Sequence, residues 1–335
     1  MQEQGEQDAR RALGSLAVAR RSVEEALAIG PALLERAARE GRPLLSASVI
    51  EGRNVVLGAA QRAGRVVDLG ACEAAGVRVF RRGSTGTAAY LGGRSILWSL
   101  ALPDVAALIA DATPRTLLNR NARPFLRALT SAGLQAHYFG REWIAVKKAP
   151  AALLGFDVAP GGAVLLEVIA GFDAPIGIPE DLATPLERSL ERWRGRSPEA
   201  LASLRGEPGD PLELARRVVE GVARHAGLDL EEVSLAAPLD LVSAIGDPLD
   251  PVPAGLEPAP PVRVPIGWIE AAASPQKMWL GGDVLAPRWL LAELARDPDS
   301  SLELKPIESE PAIEGAALSD LREAIRQALP REAPA

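Results

Sequence analysis

The sequence contains very few of the residues that form covalent cross-links or bind metals. Its 335 residues include one cysteine, Cys72, and two histidines, His137 and His225. A single cysteine excludes an internal disulfide framework and any zinc site built from several thiolates. Two histidines are too few for most all-histidine centres, so the sequence predicts no metal site.

Lysine and long apolar segments are also scarce. Only four of the 37 basic residues are lysine, and the net charge is −7. This charge argues against nucleic acid as the main partner, because phosphate binding needs a basic surface. The longest apolar stretch, residues 95–112, is interrupted by Pro103 and Asp104, and residues 1–11 lack the apolar core of a secretion signal. These patterns predict a cytoplasmic protein with no membrane partner.

The order of the sequence patterns predicts an α+β fold. Helical periodicity covers residues 6–28, and Gly30-Pro31 is expected to end that helix and to begin another over residues 31–40. Six or more strand candidates follow, with helices before and between them but without a regular βαβ alternation.

A shift in composition predicts the domain organisation. Eight of the 28 prolines lie between Pro238 and Pro265, and such a segment is extended and poor in internal hydrogen bonds. We therefore predict a first domain over residues 1–236, a proline-rich linker over 237–265, and a small α+β accessory domain over 266–335. The accessory domain is expected to contain a hairpin and two helices.

The densest group of candidate binding residues is the segment 81–87. Two guanidinium groups, two glycines and three hydroxyls occur there within seven residues. Forked arginine donors, close backbone approach at glycine and neutral hydroxyl donors all suit a phosphate or another oxyanion. The candidates are Arg81, Arg82, Ser84, Thr85, Gly86 and Thr87. The alternative interpretation is a polar loop before a hairpin, with its arginines on the surface.

The second candidate is the pair Lys147-Lys148, which the pattern places at the end of a strand. A lysine can neutralise the charge of a bound carboxylate or phosphate as a point cation. Because the chain otherwise uses arginine, the pair indicates a position that requires an ammonium group; the alternative is a solvated strand end. Cys72 is predicted to be a buried packing residue, and neither histidine belongs to an evident catalytic triad.

Taken in order, these segments resemble the lipoate-protein ligase branch of the biotin and lipoate ligase family. The resemblance covers nearly the whole chain, and the order of the motifs is more specific than any one of them. The similar segments are residues 32–36, 55–61, 66–77, 81–87, 99–103, 132–134, 266–270 and 282–287.

The resemblance implies a mixed-sheet α+β catalytic domain with a small C-terminal accessory domain. It also implies that lipoate or a similar acid is activated with ATP and Mg²⁺ to an acyl-adenylate, or received already activated, and is then passed to a lysine of a lipoyl-type carrier domain. By the family pattern, Arg81, Arg82 and the Gly-rich loop cover the acyl-adenylate. Lys147 matches the lysine that contacts the acyl and phosphate oxygens, and Lys148 is one step out of register.

The sequence departs from the family pattern at three places near these residues. Thr85-Gly86-Thr87 replaces three glycines, Glu142-Trp143 replaces an Asn-Asp pair that contacts nucleotide and metal, and Pro150 replaces the motif glycine. Two hypotheses therefore stay open. The retained arginines and lysine favour a lipoate-protein ligase-like enzyme. The missing Asn-Asp pair favours a non-catalytic homologue that binds an acyl ligand, a carrier protein or a partner subunit.

Overall fold

The protein consists of a large mixed sheet with helices on both faces and a smaller C-terminal sheet packed against it. A computed structural model describes residues 12–140, 142–206, 209–235, 239, 252–274, 277–296, 313 and 318–328. None of the helices described in these ranges is both long and apolar enough to cross a membrane.

Within the described residues, ten strands form the large sheet. They are β1 (Ala12–Leu16), β2 (Ala19–Arg20), β3 (Leu44–Leu57), β4 (Arg78–Arg81), β5 (Ala89–Leu102), β6 (Ala136–Tyr138), β7 (Trp143–Val146), β8 (Ala149–Val158), β9 (Val164–Gly171) and β10 (Asp229–Val233). The spatial order is β10-β1-β3-β5-β9-β8-β7-β6, with β2 and β4 also paired to β3. Strands β1, β2, β3, β4 and β10 pair in parallel, whereas the pairs from β3 through β5 to β6 are antiparallel.

The helices of this part cover the two faces of the sheet. They are α1 (Val23–Glu40), α2 (Ala63–Val66), α3 (Leu69–Ala74), α4 (Leu117–Asn121), α5 (Arg123–Ser131), α6 (Pro185–Arg188), α7 (Leu201–Arg205) and α8 (Pro211–Ala226). Neighbouring residues of β5 point to opposite faces. Accordingly, Leu97 packs with Leu27 of α1, whereas Trp98 packs with Val218 of α8 in the main core.

The structure differs from the two helices predicted at the N-terminus. Residues 6–11 lie outside the described residues, and Ala12–Leu16 form a strand that lies between β3 and β10. Helix α1 begins at a capping box of Ser22 and Glu25 and continues through Pro31 without a break. The proline removes one helical hydrogen bond. The Pro31 ring packs against the loop of residues 81–87. A Cβ added to Gly83 in this loop would lie only 2.9 Å from Pro31 Cγ.

The C-terminal part has its own antiparallel sheet. Its strands are β11 (Glu257–Pro258), β12 (Val262–Val264), β13 (Gly267–Ala273) and β14 (Met278–Gly282), and its helices are α9 (Arg288–Arg296) and α10 (Leu318–Ala328). Strand β13 pairs with each of the other three. This architecture, together with the large mixed sheet, confirms the predicted α+β class.

Two of these strands lie in the range predicted as a linker, residues 237–265. Strands β11 and β12 pair with the β13 strand, so the small sheet begins before residue 266. Proline is compatible with such short edge strands because one of their sides needs no N–H donor. Residues 237, 238 and 240–251 of the predicted linker lie outside the described residues.

The buried Trp98 side chain gives a direct test of this packing. Trp98 is fully buried and its indole N–H points at the carbonyl of Ala215, 3.5 Å away. We expect Trp98→Ala to lower the free energy of unfolding by about 3–5 kcal/mol through lost contacts and a cavity. Trp289→Ala is the matched control, because Trp289 is 39% exposed and should change stability by less than about 1 kcal/mol. Urea denaturation measures both; equal effects would contradict the described core.

Candidate functional site

The loop between β4 and β5 is buried in the centre of the protein. Its Arg82 side chain is only 2% exposed, and the guanidinium Nη2 donates to the carbonyls of Thr85 at 3.3 Å and Thr87 at 3.1 Å. The other two nitrogens, Nε and Nη1, have no hydrogen-bond partner. Burial lowers the pKa of Arg82 to about 10, although Glu167 opposes this shift. The loop therefore holds a buried cation with free donors.

Glu167 of β9 lies beside this loop. Its Oε2 accepts hydrogen bonds from the Ser84 amide, at 3.2 Å, and from the Ser84 hydroxyl. Its Oε1 has no hydrogen-bond partner. This oxygen faces α1, where a Cβ added to Gly30 would lie only 2.9 Å from it. Burial raises the pKa of Glu167, and Arg82 only partly offsets this shift. We refer to Arg82, Ser84 and Glu167 as the Arg82 corner.

A row of polar residues extends from this corner across the sheet. Ser99 of β5 is the register partner of Glu167, and Ser46 of β3 is the register partner of Ser99. Paired residues of antiparallel strands point to the same face, so the three side chains share one face. The Ser99 hydroxyl is buried without a hydrogen-bond partner. Buried polar atoms of this kind are usually satisfied, so several free donors and acceptors in one place mark a candidate binding site.

Thr85 joins the loop to the C-terminal part. Its hydroxyl lies 2.8 Å from the carbonyl oxygens of Phe156 and Ala286 and accepts from the Ala286 amide at 3.2 Å. Next to it, Gly86 has a φ of 113°, and a Cβ there would lie 2.8 Å from Leu285 Cδ2. Of the three residues that replace consecutive glycines, only Gly86 adopts positive φ. The C-terminal part thus closes over the loop.

Arg81 supports the neighbouring segment and not the Arg82 corner. Its Nη1 donates to the carbonyl of Gly58 at 3.1 Å and to that of Gln61. Gly58 must be glycine, because a Cβ would lie 2.0 Å from the Gly86 carbonyl oxygen. Arg81 therefore braces residues 58–61 against the loop.

The two candidate lysines lie elsewhere. Lys147 and Lys148 form the two-residue turn between β7 and β8, with φ values of 46° and 76°, and both side chains are exposed. Positive φ at both positions is typical of a type I′ hairpin turn. Gly155 of β8 contacts the Arg82 corner. It follows Lys148 by seven residues, which corresponds to roughly 23 Å in an extended strand. The structure brings the residues of segment 81–87 together but does not bring the lysines to them.

The residues before this hairpin are buried. Glu142 and Trp143, which stand where the family has Asn-Asp, are 0% and 3% exposed, and the Trp143 indole nitrogen has no hydrogen-bond partner. In the part of the chain that the structure describes, no group of three or more His, Cys, Asp or Glu side chains is arranged to hold a metal ion. We therefore assign no residue to Mg²⁺.

The structure also contains a buried group of charges that the sequence patterns did not predict, here called the arginine–carboxylate cluster. Its five members are Arg65, Arg192, Glu187, Glu270 and Asp283, each less than 10% exposed. Partners in this cluster are up to 218 residues apart in the chain. No local pattern could have paired them, although two arginines and three acids with apolar neighbours are a weak signal of burial.

Two arginines connect the cluster. Arg65 contacts Glu270 at 2.9 Å, Glu187 at 3.2 Å and Asp283 at 2.5 Å. Arg192 contacts Glu187 at 2.7 Å and Asp283 at 3.4 Å and also donates to the Ile266 carbonyl. Glu270 and Asp283 belong to the C-terminal part, so the cluster holds the two parts of the protein together.

The pKa values of Glu270 and Asp283 shift in opposite directions. Burial raises the pKa of Glu270 to about 7, although Arg65 opposes the shift. Burial also disfavours ionised Asp283, but Arg65 and Arg192 outweigh it and lower the pKa of that group. Asp283 further accepts from the Gln61 side chain and from the Trp268 amide at 2.9 Å.

Comparison with known families supports the resemblance seen in the sequence. Residues 22–151 match the family described as the Lipoyl protein ligase A/B catalytic domain. This segment contains the Arg82 corner except Glu167, and it also contains the lysine hairpin. The predicted resemblance is thereby confirmed over these residues. None of the curated proteins matches the chain.

Solved structures show the same fold. The bipartite lipoate protein ligase of Thermoplasma acidophilum, studied with its E2 lipoyl domain, is 16% identical with a TM-score of 0.55 over 66% of this chain and 88% of that one. Lipoate-protein ligase A bound with ATP is 16% identical with a TM-score of 0.54 over 67% and 89%. The T. acidophilum protein Ta0514 with bound lipoic acid is 15% identical with a TM-score of 0.53 over 66% and 90%. At such identities the similarity concerns the fold.

Asp283→Asn tests the arginine–carboxylate cluster. The change removes the negative charge of a fully buried side chain, so the positive charges of Arg65 and Arg192 are no longer balanced. We expect a loss of about 3–5 kcal/mol in the free energy of unfolding. Asp173→Asn is the matched control, because Asp173 pairs with Arg94 at the surface and exposed pairs contribute about 0–1 kcal/mol. Chemical denaturation compares the two; a loss no larger than that of the control would refute the role of the cluster.

Glu270→Gln tests the protonation of the cluster. Folded Glu270 keeps its proton up to about pH 7, whereas the ordinary carboxyl pKa is 4.5. The folded state therefore binds more protons in this window, and the stability from Glu270 falls as pH rises from about 4.5 to 7. Subtracting the stability of Glu270→Gln from that of the wild type at each pH isolates this slope. We expect the difference to decrease with rising pH; an increase would contradict the raised pKa.

Proposed function

We propose that this protein uses the fold of lipoate-protein ligases to bind a lipoate-like acyl ligand without activating it. The separation of the lysine hairpin from the Arg82 corner carries this proposal. Catalysis of acyl transfer needs its cationic donors within about 3 Å of the oxygens that develop charge. Lys147 and Lys148 form the exposed turn that precedes strand β8, and Gly155, which contacts the loop that would hold those oxygens, lies roughly 20 Å further along that extended strand.

The Arg82 corner supplies the chemistry for binding a carboxylate. The two free nitrogens of Arg82, Nε and Nη1, each offer an N–H donor for which a carboxylate oxygen is a suitable acceptor. Burial raises the pKa of Glu167 and so favours its protonated form. The protonated carboxyl group would donate its O–H to the same ligand or accept a hydrogen bond from it. A buried charged donor without a partner costs free energy, so an anion at this position would offset that cost.

Access to the corner involves the C-terminal part. Leu285 and Ala286 lie against Gly86 and Thr85, so an acyl ligand would enter when this segment moves away. The arginine–carboxylate cluster holds the same segment through Asp283. Binding would therefore be linked to the position of the C-terminal sheet.

A complete ligase or lipoyltransferase is the second candidate function. The observation that favours it is the retention of Arg82 with free donors in a loop that resembles the acyl-adenylate loop of the family. In this function ATP and Mg²⁺ would be required, Lys147 would contact the acyl-adenylate and Lys148 would lie beside it. The hairpin would have to approach the loop for this purpose.

A lipoyl-type carrier domain is the proposed protein partner in either function. The T. acidophilum ligase of the same fold was studied with its E2 lipoyl domain. An acyl-binding homologue would present or receive the acyl group of such a domain, and a ligase would modify a lysine of it.

Calorimetry with lipoate and with a non-hydrolysable lipoyl-adenylate analogue tests the proposal. We expect binding by the wild type, and a loss of roughly tenfold to 100-fold in affinity for Arg82→Gln, because a charge-assisted hydrogen bond contributes about 1.5–3 kcal/mol. Arg78→Gln is the matched control, since Arg78 lies on β4, the strand that precedes the loop, with an exposed side chain. Arg82→Lys keeps the charge and checks that any loss does not come from misfolding.

A transfer assay separates the two candidate functions. The protein is incubated with ATP, Mg²⁺, radiolabelled lipoate and a lipoyl carrier domain. The primary proposal expects no adenylate and no labelled carrier, and equal ligand affinity for Lys147→Ala and the wild type. Transfer that is lost in Lys147→Ala would establish the ligase instead. Both functions would be refuted if the protein showed no ligand binding and no transfer.

A further inference from the structure

A cavity lies at the junction of the two parts; none of its lining residues belongs to the Arg82 corner, although the amide of its lining residue Ala59 donates to the Ser84 carbonyl at 2.8 Å. It encloses about 420 Å³, a size within the range of roughly 300–1,000 Å³ that is common for small-molecule sites. One wall comes from Ala59 and Ala60 after β3, and the opposite wall comes from Leu291, Ala292 and Ala295 of α9. Four of these five wall residues are alanine, and larger side chains at their positions would fill part of the space.

The ring of Trp279 forms a rigid side of this cavity. A Cβ on Gly281 would lie 2.3 Å from Trp279 Cζ2 and 2.4 Å from the Ala60 carbonyl oxygen. Only glycine at 281 lets the indole lie flat over β14 and lets Ala60 approach the strand. The hydrogen bond from the Gly282 amide to the Ala60 carbonyl, at 2.7 Å, fixes the same contact. The apolar walls are therefore preformed.

Three cations surround this apolar space. They are Lys277, Arg288 and Arg296, and none of the residues that line the cavity is acidic. Arg288 pairs with Asp157 at 2.6 Å and Arg296 with Glu293 at 2.7 Å, whereas Lys277 has no ion pair within the described ranges. Lys277 is one of only four lysines in the chain. The cavity thus combines apolar walls with a lysine that has no ion pair among the residues that the structure describes.

From these features we propose that the cavity binds an amphiphilic carboxylate, a medium-length unbranched alkyl chain that ends in a carboxylate group. The chain would lie between the alanine walls and against Trp279, and the carboxylate would lie at Lys277. A neutral acyl amide, such as the acylated lysine of a carrier domain, would lack the charge that Lys277 selects. The site is separate from the Arg82 corner and does not depend on the function proposed for it.

Binding at this cavity would bridge the two parts of the protein. Ala59 and Ala60 belong to the segment 58–61 that Arg81 braces, whereas α9 belongs to the C-terminal part. A ligand that contacts both walls would add apolar contacts across the junction that the arginine–carboxylate cluster already holds. The free energy of binding would then stabilise the closed arrangement.

Titration of the full chain with sodium butanoate, hexanoate, octanoate and decanoate tests the proposal, with Trp279 fluorescence and calorimetry as readouts. We expect saturable binding whose affinity rises about threefold to fourfold per added methylene until the cavity is filled. Octanamide and octylamine should bind at least tenfold more weakly than octanoate. No saturable binding, or equal affinity for octylamine and octanoate, would overturn the proposal.

Variants locate the site. Ala292→Trp fills the cavity from an exposed position, and Lys277→Glu reverses the charge of an exposed side chain; each should weaken octanoate binding at least tenfold. Arg39→Glu is the matched control, because it reverses an exposed charge on α1 that does not line the cavity, and it should leave affinity unchanged. Measured in the Arg82→Gln background, which removes the donors proposed to bind an acyl carboxylate at the Arg82 corner, octanoate binding at this cavity should persist. Octanoate binding that is lost in Arg82→Gln but kept in Ala292→Trp would overturn this site and would support the Arg82 corner instead.

Discussion

The burial of five ionisable side chains between the two sheets is the constraint on which the rest of the structure depends. Removing a charge from water costs several kcal/mol, so the partners that a buried arginine obtains decide how much its burial costs. Arg65 and Arg192 obtain their partners from both parts of the chain, through Glu187 on one side and through Glu270 and Asp283 on the other. The small sheet is therefore an integral part of the fold and not a loosely attached appendage.

This constraint also determines the surroundings of the candidate loop. Asp283 is followed by Leu285 and Ala286, which cover Gly86 and Thr85, so the cluster that anchors Asp283 also closes the loop. On the opposite side, Pro31 of α1 packs against Gly83, and Gly30 leaves room for Glu167. The Arg82 corner is thus enclosed by helix, sheet and accessory domain. Its free donors and acceptors remain in a region of low dielectric, where an anionic ligand would interact strongly with them.

Part of this arrangement could be predicted from the sequence because it rests on local patterns. The β13–β14 hairpin, the helices α9 and α10 and the grouping of segment 81–87 follow from periodicity, glycine positions and residue types. The N-terminal strand could not be predicted in the same way. The apolar spacing of Ala12–Leu16 suits a helix as well as a strand, and its parallel pairing with β10, more than 200 residues away, decides between them. Pro31 was equally ambiguous, because a proline can begin a helix or lie within one, and the structure places it inside α1 beside Gly83.

By itself, the sequence determined the α+β class, the resemblance to the lipoate ligase branch and the presence of a loop suited to an anion, since each depends on residue type and order. Only the tertiary structure decided which of those residues meet. It buried Arg82 beside Glu167, assigned Arg81 to the backbone of residues 58–61, and left Lys147 and Lys148 on an exposed turn. The rarity of lysine marks the positions of Lys147 and Lys148 as unusual, but it does not reveal how far these residues lie from Arg82. Strand register and long-range ion pairs set that distance, because they connect residues that no local pattern relates.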